Sequence, residues 1–257
     1  MSRSFSRWRQ LFAYPFRIFF LSVGVLAGLL VPLWLIMLWQ PQHLPLALTP
    51  LAWHQHEMLV GLLNAAIAGF LLTAVCNWTR TRPTTGLALA GLWLLWLAGR
   101  LVMAMGELLP PWAEWVDLLF LPLVAVLVLL RVVRARQWRQ LPVVAVVLAL
   151  WGMDLGFHVS GDSGWIRHMV VLAGTLILVV GGRITPAVSR NWLHIMAGRG
   201  DQVRSVRSLD VATLLAALLL VVVQVAGVTG VWLAATAFAA AALAALRLVL
   251  WRGWLVR

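Results

Sequence analysis

Eight long apolar runs constrain the fold of this chain more than any other feature. An α-helix needs about 20 consecutive apolar residues to cross the hydrocarbon core of a bilayer, and each run is close to that length. The 257 residues are 63% hydrophobic and 11% charged, which is too apolar for a soluble domain of this size. The runs also lack the period-two alternation of membrane β-barrels.

We therefore predict an all-α fold, a polytopic helical membrane bundle of about eight transmembrane helices that contacts the lipid bilayer. It is expected to form a single transmembrane domain over residues 1–257, with its longest loop at 183–208. The predicted spans are 16–38, 53–75, 86–106, 113–133, 140–158, 165–182, 209–228 and 231–250.

The basic residues predict the orientation of the chain. All 20 are arginines, and 18 of them fall at the termini or in connections that eight spans place on one side of the membrane. Cytoplasmic connections carry an excess of basic residues, so we expect both termini in the cytoplasm. The formal charge of +12 does not indicate nucleic-acid binding, because the arginines flank apolar runs and form no basic–aromatic patch. The first apolar run is too long for a signal peptide, and we interpret it as a retained span.

The opposite side is rich in acids and histidines, and ionisable residues at membrane depth commonly mark functional sites. We predict a polar site there, rather than a set of independent interfacial residues. Its members are His54, His56, Glu57, Arg100, Asp117, Asp154, His158 and His168. His43 is on the same side, and we interpret it as an exposed loop residue.

The motif Trp53-His54-Gln55-His56-Glu57-Met58 opens the second run. On a regular helix His54 shares a face with Glu57 and Met58, and imidazole with thioether suits copper. His56 points about 200° away from His54, so the two histidines should not ligate one metal from the same side. Three alternatives follow. The two histidines serve two separate sites, or one of them supports a ligand without touching the metal itself, or the helix begins later than predicted.

Two further groups complete the predicted site. Arg100 is the one arginine deep within a predicted span and needs a partner, for which Glu57, Asp117 and a haem propionate are the candidates. In the fifth run Asp154 lies one turn before His158 and is expected to orient it. His168 is either a ligand or an interfacial residue.

An ordered set of motifs resembles the NnrS family of bacterial inner-membrane proteins. The motifs are Phe16–Phe20, Trp53–Met58 with Gly61, Ala68–Val75, Asn77–Thr79, Leu97–Arg100, Asp117–Pro122, Gly182–Pro186 and Ser189–Leu193, so the resemblance runs over about residues 16–193. It implies a multi-pass inner-membrane protein that contains haem and copper and is linked to nitric oxide metabolism and nitrosative-stress resistance. The haem would be non-covalent, because the single cysteine, Cys76, excludes a Cys-x-x-Cys-His motif.

The resemblance also implies site residues. His54, His56 and Glu57 would touch metal or haem, and Arg100, Asp117, Arg183 and Asn191 match other family motifs. With the residue-level reasoning, the predicted cofactor-binding residues are His54, His56, Glu57, Arg100 and His158, and the predicted metal ligands are His54, His56, Met58, His158 and His168.

Two departures from the family pattern leave alternatives open. Cys76 replaces a usual proline, and family members usually continue into further spans with another histidine-bearing helix. His158, His168 or another membrane subunit would then supply the missing ligand. The alternative functions are a transporter or channel, and a sensor or assembly subunit that binds no haem. The sequence leaves open whether nitric oxide is substrate, ligand or signal, and whether the protein is an enzyme.

Overall fold

A computed structural model of the protein describes residues 9–40, 44–252 and 254, so His43 lies outside the described residues. Within them, eight helices are long and apolar enough to cross a membrane. They are α1 (Pro15–Trp39), α2 (Pro50–Thr79), α3 (Gly86–Ala104), α4 (Pro111–Arg134), α5 (Trp138–Ser160), α6 (Gly164–Ala197), α7 (Arg207–Val225) and α8 (Val231–Trp251). The predicted all-α, multi-pass membrane bundle is confirmed.

Local chemistry explains where several helices begin and end. At the start of α2, the Thr49 side chain accepts a hydrogen bond from the Ala52 backbone amide, and Pro50 occupies the first turn, where a missing amide costs nothing. At the end of α5, Gly161 adopts a φ of 69°, the left-handed conformation that glycine tolerates best.

α6 is longer than the sequence predicts. The predicted span stops at residue 182, but the helix continues to Ala197, so the predicted loop at 183–208 is wrong over residues 183–197. Arg183 ends the apolar run without ending the helix, because arginine is a good helix former. Pro186 lies inside the helix, where it removes one backbone hydrogen bond.

Contacts divide the chain into two compact units, Met1–Ile166 and Arg167–Arg257. In the first unit α2 packs against α1 and α4, and α4 also packs against α3 and α5. Gly69 of α2 allows the close approach of α1, since a Cβ there would lie 3.0 Å from the Phe19 Cβ. Small residues at such contacts matter in membranes, where helices associate by close packing rather than by the hydrophobic effect.

In the second unit α7 and α8 pack together, and a partly buried ion pair joins them. Arg247 Nε of α8 donates to Asp210 Oδ1 of α7 at 2.7 Å, and the guanidinium lies over the Trp251 ring. Gly182 of α6 gives this guanidinium room, because a side chain at that position would overlap Arg247 Nη2. Arg247 therefore packs between helices, whereas Arg252 is exposed.

Candidate metal centre

Six ionisable residues from four helices converge inside the first unit. They form what we call the polar cluster: His56 and Glu57 of α2, Arg100 of α3, Asp117 of α4, and Asp154 and His158 of α5. His56 is 0% exposed and Glu57 is 1% exposed, and the Arg100 side chain, at 6%, is also buried. Buried charges are stable only when they are paired, so each charged member of the cluster needs a partner within it.

A π-helical segment positions the α2 residues of the cluster. The chain is α-helical over Pro50–His56, π-helical over Glu57–Leu63 and α-helical again from Asn64. π-Helical turns are rare and are frequent at functional sites. The Gly61 carbonyl within this segment accepts a 2.8 Å hydrogen bond from the Trp96 indole nitrogen of α3. This bond ties the π-helical segment to the neighbouring helix.

His56 lies at the centre of the cluster. Its Nδ1 faces Glu57 Oε1 at 3.2 Å, and its Nε2 lies 3.3 Å from both Asp117 Oδ2 and Asp154 Oδ1. The Phe157 ring stacks on the imidazole with 5.5 Å between centroids. The ring is thus held by carboxylates at both edges and by an aromatic ring on one face.

Arg100 connects two of the carboxylates. Its Nη1 lies 3.2 Å from Glu57 Oε1, and its Nη2 donates to Asp117 Oδ1. Gly61 makes room for this guanidinium, since a Cβ there would lie 2.5 Å from Arg100 Nη1. Of the partners proposed from the sequence, Glu57 and Asp117 both contact Arg100.

Asp154 and His158 form the predicted pair one turn apart in α5. His158 Nδ1 lies 3.3 Å from Asp154 Oδ1 and 3.0 Å from the Asp154 carbonyl oxygen. Trp151, one turn earlier, donates from its indole nitrogen to the Leu118 carbonyl at 3.0 Å. That carbonyl has no helical partner at residue 122, because Pro122 lacks a backbone amide. The contact joins α5 to the segment that carries Asp117.

Four members of the cluster offer ligand atoms around one point. His56, Asp117, Asp154 and His158 each contribute one ligand atom, and these atoms all lie within 4.8 Å of one another. In the described part of the chain, Asp117 Oδ2 and His158 Nε2 are buried and have no hydrogen-bond partner. Asp117 Oδ2 is close to His56 Nε2, but the geometry is not that of a hydrogen bond. Buried polar atoms of this kind call for an explanation, and a bound metal ion would supply one.

A comparison with known protein families identifies the family of this chain. The family model described as NnrS protein matches residues 10–257, which is nearly the whole chain. The chain belongs to the NnrS family. This match extends beyond the motifs at 16–193 and includes α7 and α8. No curated protein and no solved structure matches the chain significantly.

The NnrS motifs account for most of the polar cluster. The motif Trp53–Met58 provides His56 and Glu57, the motif Leu97–Arg100 provides Arg100, and the motif Asp117–Pro122 provides Asp117. Three motifs that are far apart in sequence thus meet at one buried place. Asp154 and His158 complete the cluster from outside these motifs.

The structure corrects the predicted directions of the two motif histidines. The sequence places His54 on the face of Glu57 and directs His56 elsewhere, but His56 is the residue that contacts Glu57. Adjacent helical residues diverge by about 100°, and two long side chains can still meet across that angle. His54 instead stacks on Trp34 of α1, with 4.3 Å between ring centroids.

Two other predicted ligands, Met58 and His168, are not among the four converging donors. Met58 packs against an apolar cluster that contains Trp53 and Met103. His168 belongs to the second unit. Ligand roles for His54, Met58 and His168 stay predictions.

Asp117 and Asp154 are donors in the structure but are not among the metal ligands predicted from the sequence. Both are in the predicted polar site, but Asp117 is interpreted as the partner of Arg100, and Asp154 as the residue that orients His158. In the structure each carboxylate makes those contacts and also faces His56. The available signal was the depth of Asp117, which matches that of Arg100.

Proposed function

We propose that this protein binds one first-row transition-metal ion, with copper as the leading candidate, between His56, Asp117, Asp154 and His158. The observation that carries the proposal is the convergence of four ligand atoms within 4.8 Å, two of them on residues with a buried, unpaired polar atom. Glu57 would orient His56 through Nδ1, and Nε2 is the nitrogen turned toward the other donors. A carboxylate behind a metal-bound imidazole is a common arrangement, which fixes the ring and raises its basicity.

The charges of the cluster are compatible with a divalent ion. Ligation of a metal requires neutral imidazoles and charged carboxylates, and in that state Glu57, Asp117, Asp154 and Arg100 would sum to two negative charges. An excess of buried negative charge is costly, and a divalent cation would balance it.

The donor types are consistent with copper. Imidazole suits copper, iron, zinc and nickel, and carboxylate oxygens accompany it in many such sites. At a given set of nitrogen and oxygen donors, divalent copper binds most tightly among the first-row metals. The ion would supply a Lewis-acidic and redox-active centre, and the protein residues would hold it away from water.

Haem does not fit at these four donors. The porphyrin fills four positions around its iron and leaves two for the protein, whereas four protein atoms converge here. As a second proposal, His54 is a ligand of the haem that the family resemblance implies. Its ring stacks on Trp34, and its Nδ1 is buried without a hydrogen-bond partner in the described residues.

We propose that the protein is linked to nitric oxide metabolism and nitrosative-stress resistance in the bacterial inner membrane, as the NnrS resemblance implies. Nitric oxide is small and uncharged, so it can cross lipid to reach a buried metal as a ligand. The arginine distribution supports a position of the cluster toward the periplasmic face.

Metal and haem analysis of the purified protein tests both assignments. The protein is purified in detergent from cells supplied with copper and haem precursor, and then analysed by mass spectrometry for metals and by pyridine haemochrome for haem. We expect about one transition-metal ion per chain, lost in His158→Ala and retained in His168→Ala. Haem, by contrast, should be lost in His54→Ala and retained in His158→Ala.

Size-exclusion chromatography of each variant provides the control for folding. A His158→Ala protein that elutes normally and keeps its metal would refute the four-donor site. Absence of both metal and haem from the unaltered protein would refute the proposed function as a whole.

A further inference from the structure

A polar pocket lies beside the C-terminal half of α6, within the second unit. It has a volume of 680 Å³, and its polar lining comes from Arg190, Asn191 and His194 of α6 and from Asp201 in the segment that follows. The proposed metal centre uses none of these residues.

The backbone after α6 shapes this pocket by turning back onto the helix. Gly200 lies against α6, where a Cβ would be 2.9 Å from both the Arg190 carbonyl oxygen and the His194 Cβ. Arg190 Nη2 also donates to the Val203 carbonyl at 3.3 Å. The returning chain therefore forms one wall, and the polar face of α6 forms the other.

The same half of α6 carries an exposed apolar stripe beside its polar face. Ile184, Val188, Ile195 and Met196 are all exposed. At helical spacing the first three share one face, which adjoins the face of Arg190 and His194. A basic face beside an apolar face is typical of helices at a membrane interface, where the apolar side meets acyl chains. The pocket thus opens next to a surface suited to lipid tails.

The length of α6 places the pocket near the head groups. Its 34 residues correspond to about 51 Å of helix, whereas the hydrocarbon core is about 30 Å thick. The apolar stretch follows Arg167 and His168, so about 20 residues counted from Met169 cross the core and end near Val188. Arg190 and His194 follow within about 9 Å of helix, near the depth of the head groups.

The charges around the pocket favour an anion with a single negative charge. Residues 183–207 contain five arginines and one acid, Asp201. Arginine clusters at a membrane surface attract anionic lipids, and a guanidinium binds phosphate oxygens through paired hydrogen bonds. Asp201 lines the pocket and would repel a doubly charged inorganic phosphate more strongly than a singly charged phosphodiester.

We propose that this pocket binds the phosphodiester of an anionic phospholipid, with Arg190 and His194 as donors and the acyl chains along the exposed stripe. The site would hold one lipid of a kind such as phosphatidylglycerol at a defined position. It is independent of the metal centre.

Native mass spectrometry of the detergent-purified protein with added phosphatidylglycerol or phosphatidylcholine tests this site. We expect phosphatidylglycerol to bind in preference to phosphatidylcholine, and Arg190→Gln to weaken that binding about tenfold, as loss of a charge-assisted hydrogen bond predicts. Arg199→Gln removes the same charge from outside the pocket lining and serves as the matched control, with little expected effect. His194→Gln leaves the Arg190–Val203 contact intact and should weaken binding several-fold.

Three results would overturn the proposal. Equal weakening by Arg190→Gln and Arg199→Gln would indicate general charge attraction rather than a site. Equal binding of the two lipids, or no loss in a folded His194→Gln protein, would remove the assigned donors. Displacement of the lipid by inorganic phosphate at equal concentration would identify a phosphate-ion site instead.

Discussion

Arg100 is the residue on which the stability of the polar cluster depends most directly. It is buried and contacts two carboxylates from different helices, Glu57 and Asp117. Replacement by a neutral side chain would leave both acids without their cation in a place that water does not reach. Removal of one partner from a buried ion pair is far more costly than removal of a surface charge.

We therefore expect Arg100→Gln to lower the free energy of unfolding by about 3–5 kcal/mol. Unfolding in detergent, followed by circular dichroism, measures the change. Arg134→Gln makes the same chemical replacement at an exposed position at the end of α4 and should shift stability by less than about 1 kcal/mol. The double variant Arg100→Gln with Asp117→Asn should recover part of the loss. Equal effects of the two single variants would contradict the role of Arg100.

The members of the polar cluster could be predicted from the sequence better than the metal ligands among them. His54, His56 and Glu57 share one motif, and only regular α-helical geometry was available to divide them between faces. The π-helical segment beginning at Glu57 and the ring of Trp34 decide the outcome, and neither is visible in the spacing of these residues. Arg100 was easier, because an arginine inside an apolar run requires a buried acid.

Close approach of α3 and α4 is the feature of the helices that holds Asp117 in place. Gly99 of α3 lies directly against Asp117, and a Cβ there would overlap the carboxylate and lie 3.2 Å from the Asp117 Cα. The backbone of α4 would have to move, because a Cα atom is not the end of a flexible side chain.

Gly99→Ala should therefore reduce metal retention strongly and lower the temperature of unfolding. Gly91 lies in the same helix and has nothing within 4 Å of the position of a Cβ, so Gly91→Ala is the matched control. That control should be neutral or stabilising by up to about 1 kcal/mol, since alanine favours helix more than glycine does. Metal content and thermal unfolding of both proteins check the prediction. If Gly99→Ala kept its metal, the contact between α3 and α4 would not be needed to form the site.

The number and approximate positions of the helices could be predicted from the sequence. The end of α6 and the π-helical turns of α2 could not. Eight apolar runs identify eight helices because length and hydropathy suffice to cross a membrane. The end of α6 was missed because Arg183 stops the apolar run without stopping the helix. The π-helical turns of α2 leave no mark in the pattern of apolar residues, and contacts such as that between Trp96 and Gly61 are not visible in the sequence.

The described residues contain eight helices that are long and apolar enough to span a membrane. If all eight cross it, their even number puts the two ends of the series on one side. The arginine distribution predicts that this side is the cytoplasm. The connection between α5 and α6 would then be periplasmic, and the segment between α6 and α7 would be cytoplasmic.

Cysteine labelling tests this orientation. In a Cys76→Ser background, a membrane-impermeant maleimide should label Ser163→Cys in cells with an intact inner membrane. Ser205→Cys should react only after that membrane is opened. The reverse pattern would contradict the predicted orientation, and normal membrane yield of each variant is the control for folding.

The wide turns of α2 also make the centre unequally sensitive to changes that alter none of its residues. A π-helical segment resembles an α-helix with one extra residue, so loss of a single codon between 58 and 63 would restore an ordinary helix and leave His56 facing the cluster. The same loss in the regular helix that begins at Asn64 would instead rotate everything before it by about 100°. Gln55 would take the position of His56, and an amide would replace an imidazole among the carboxylates. In genetic terms, the reading of this motif depends on the number of apolar codons behind it as much as on the histidines themselves.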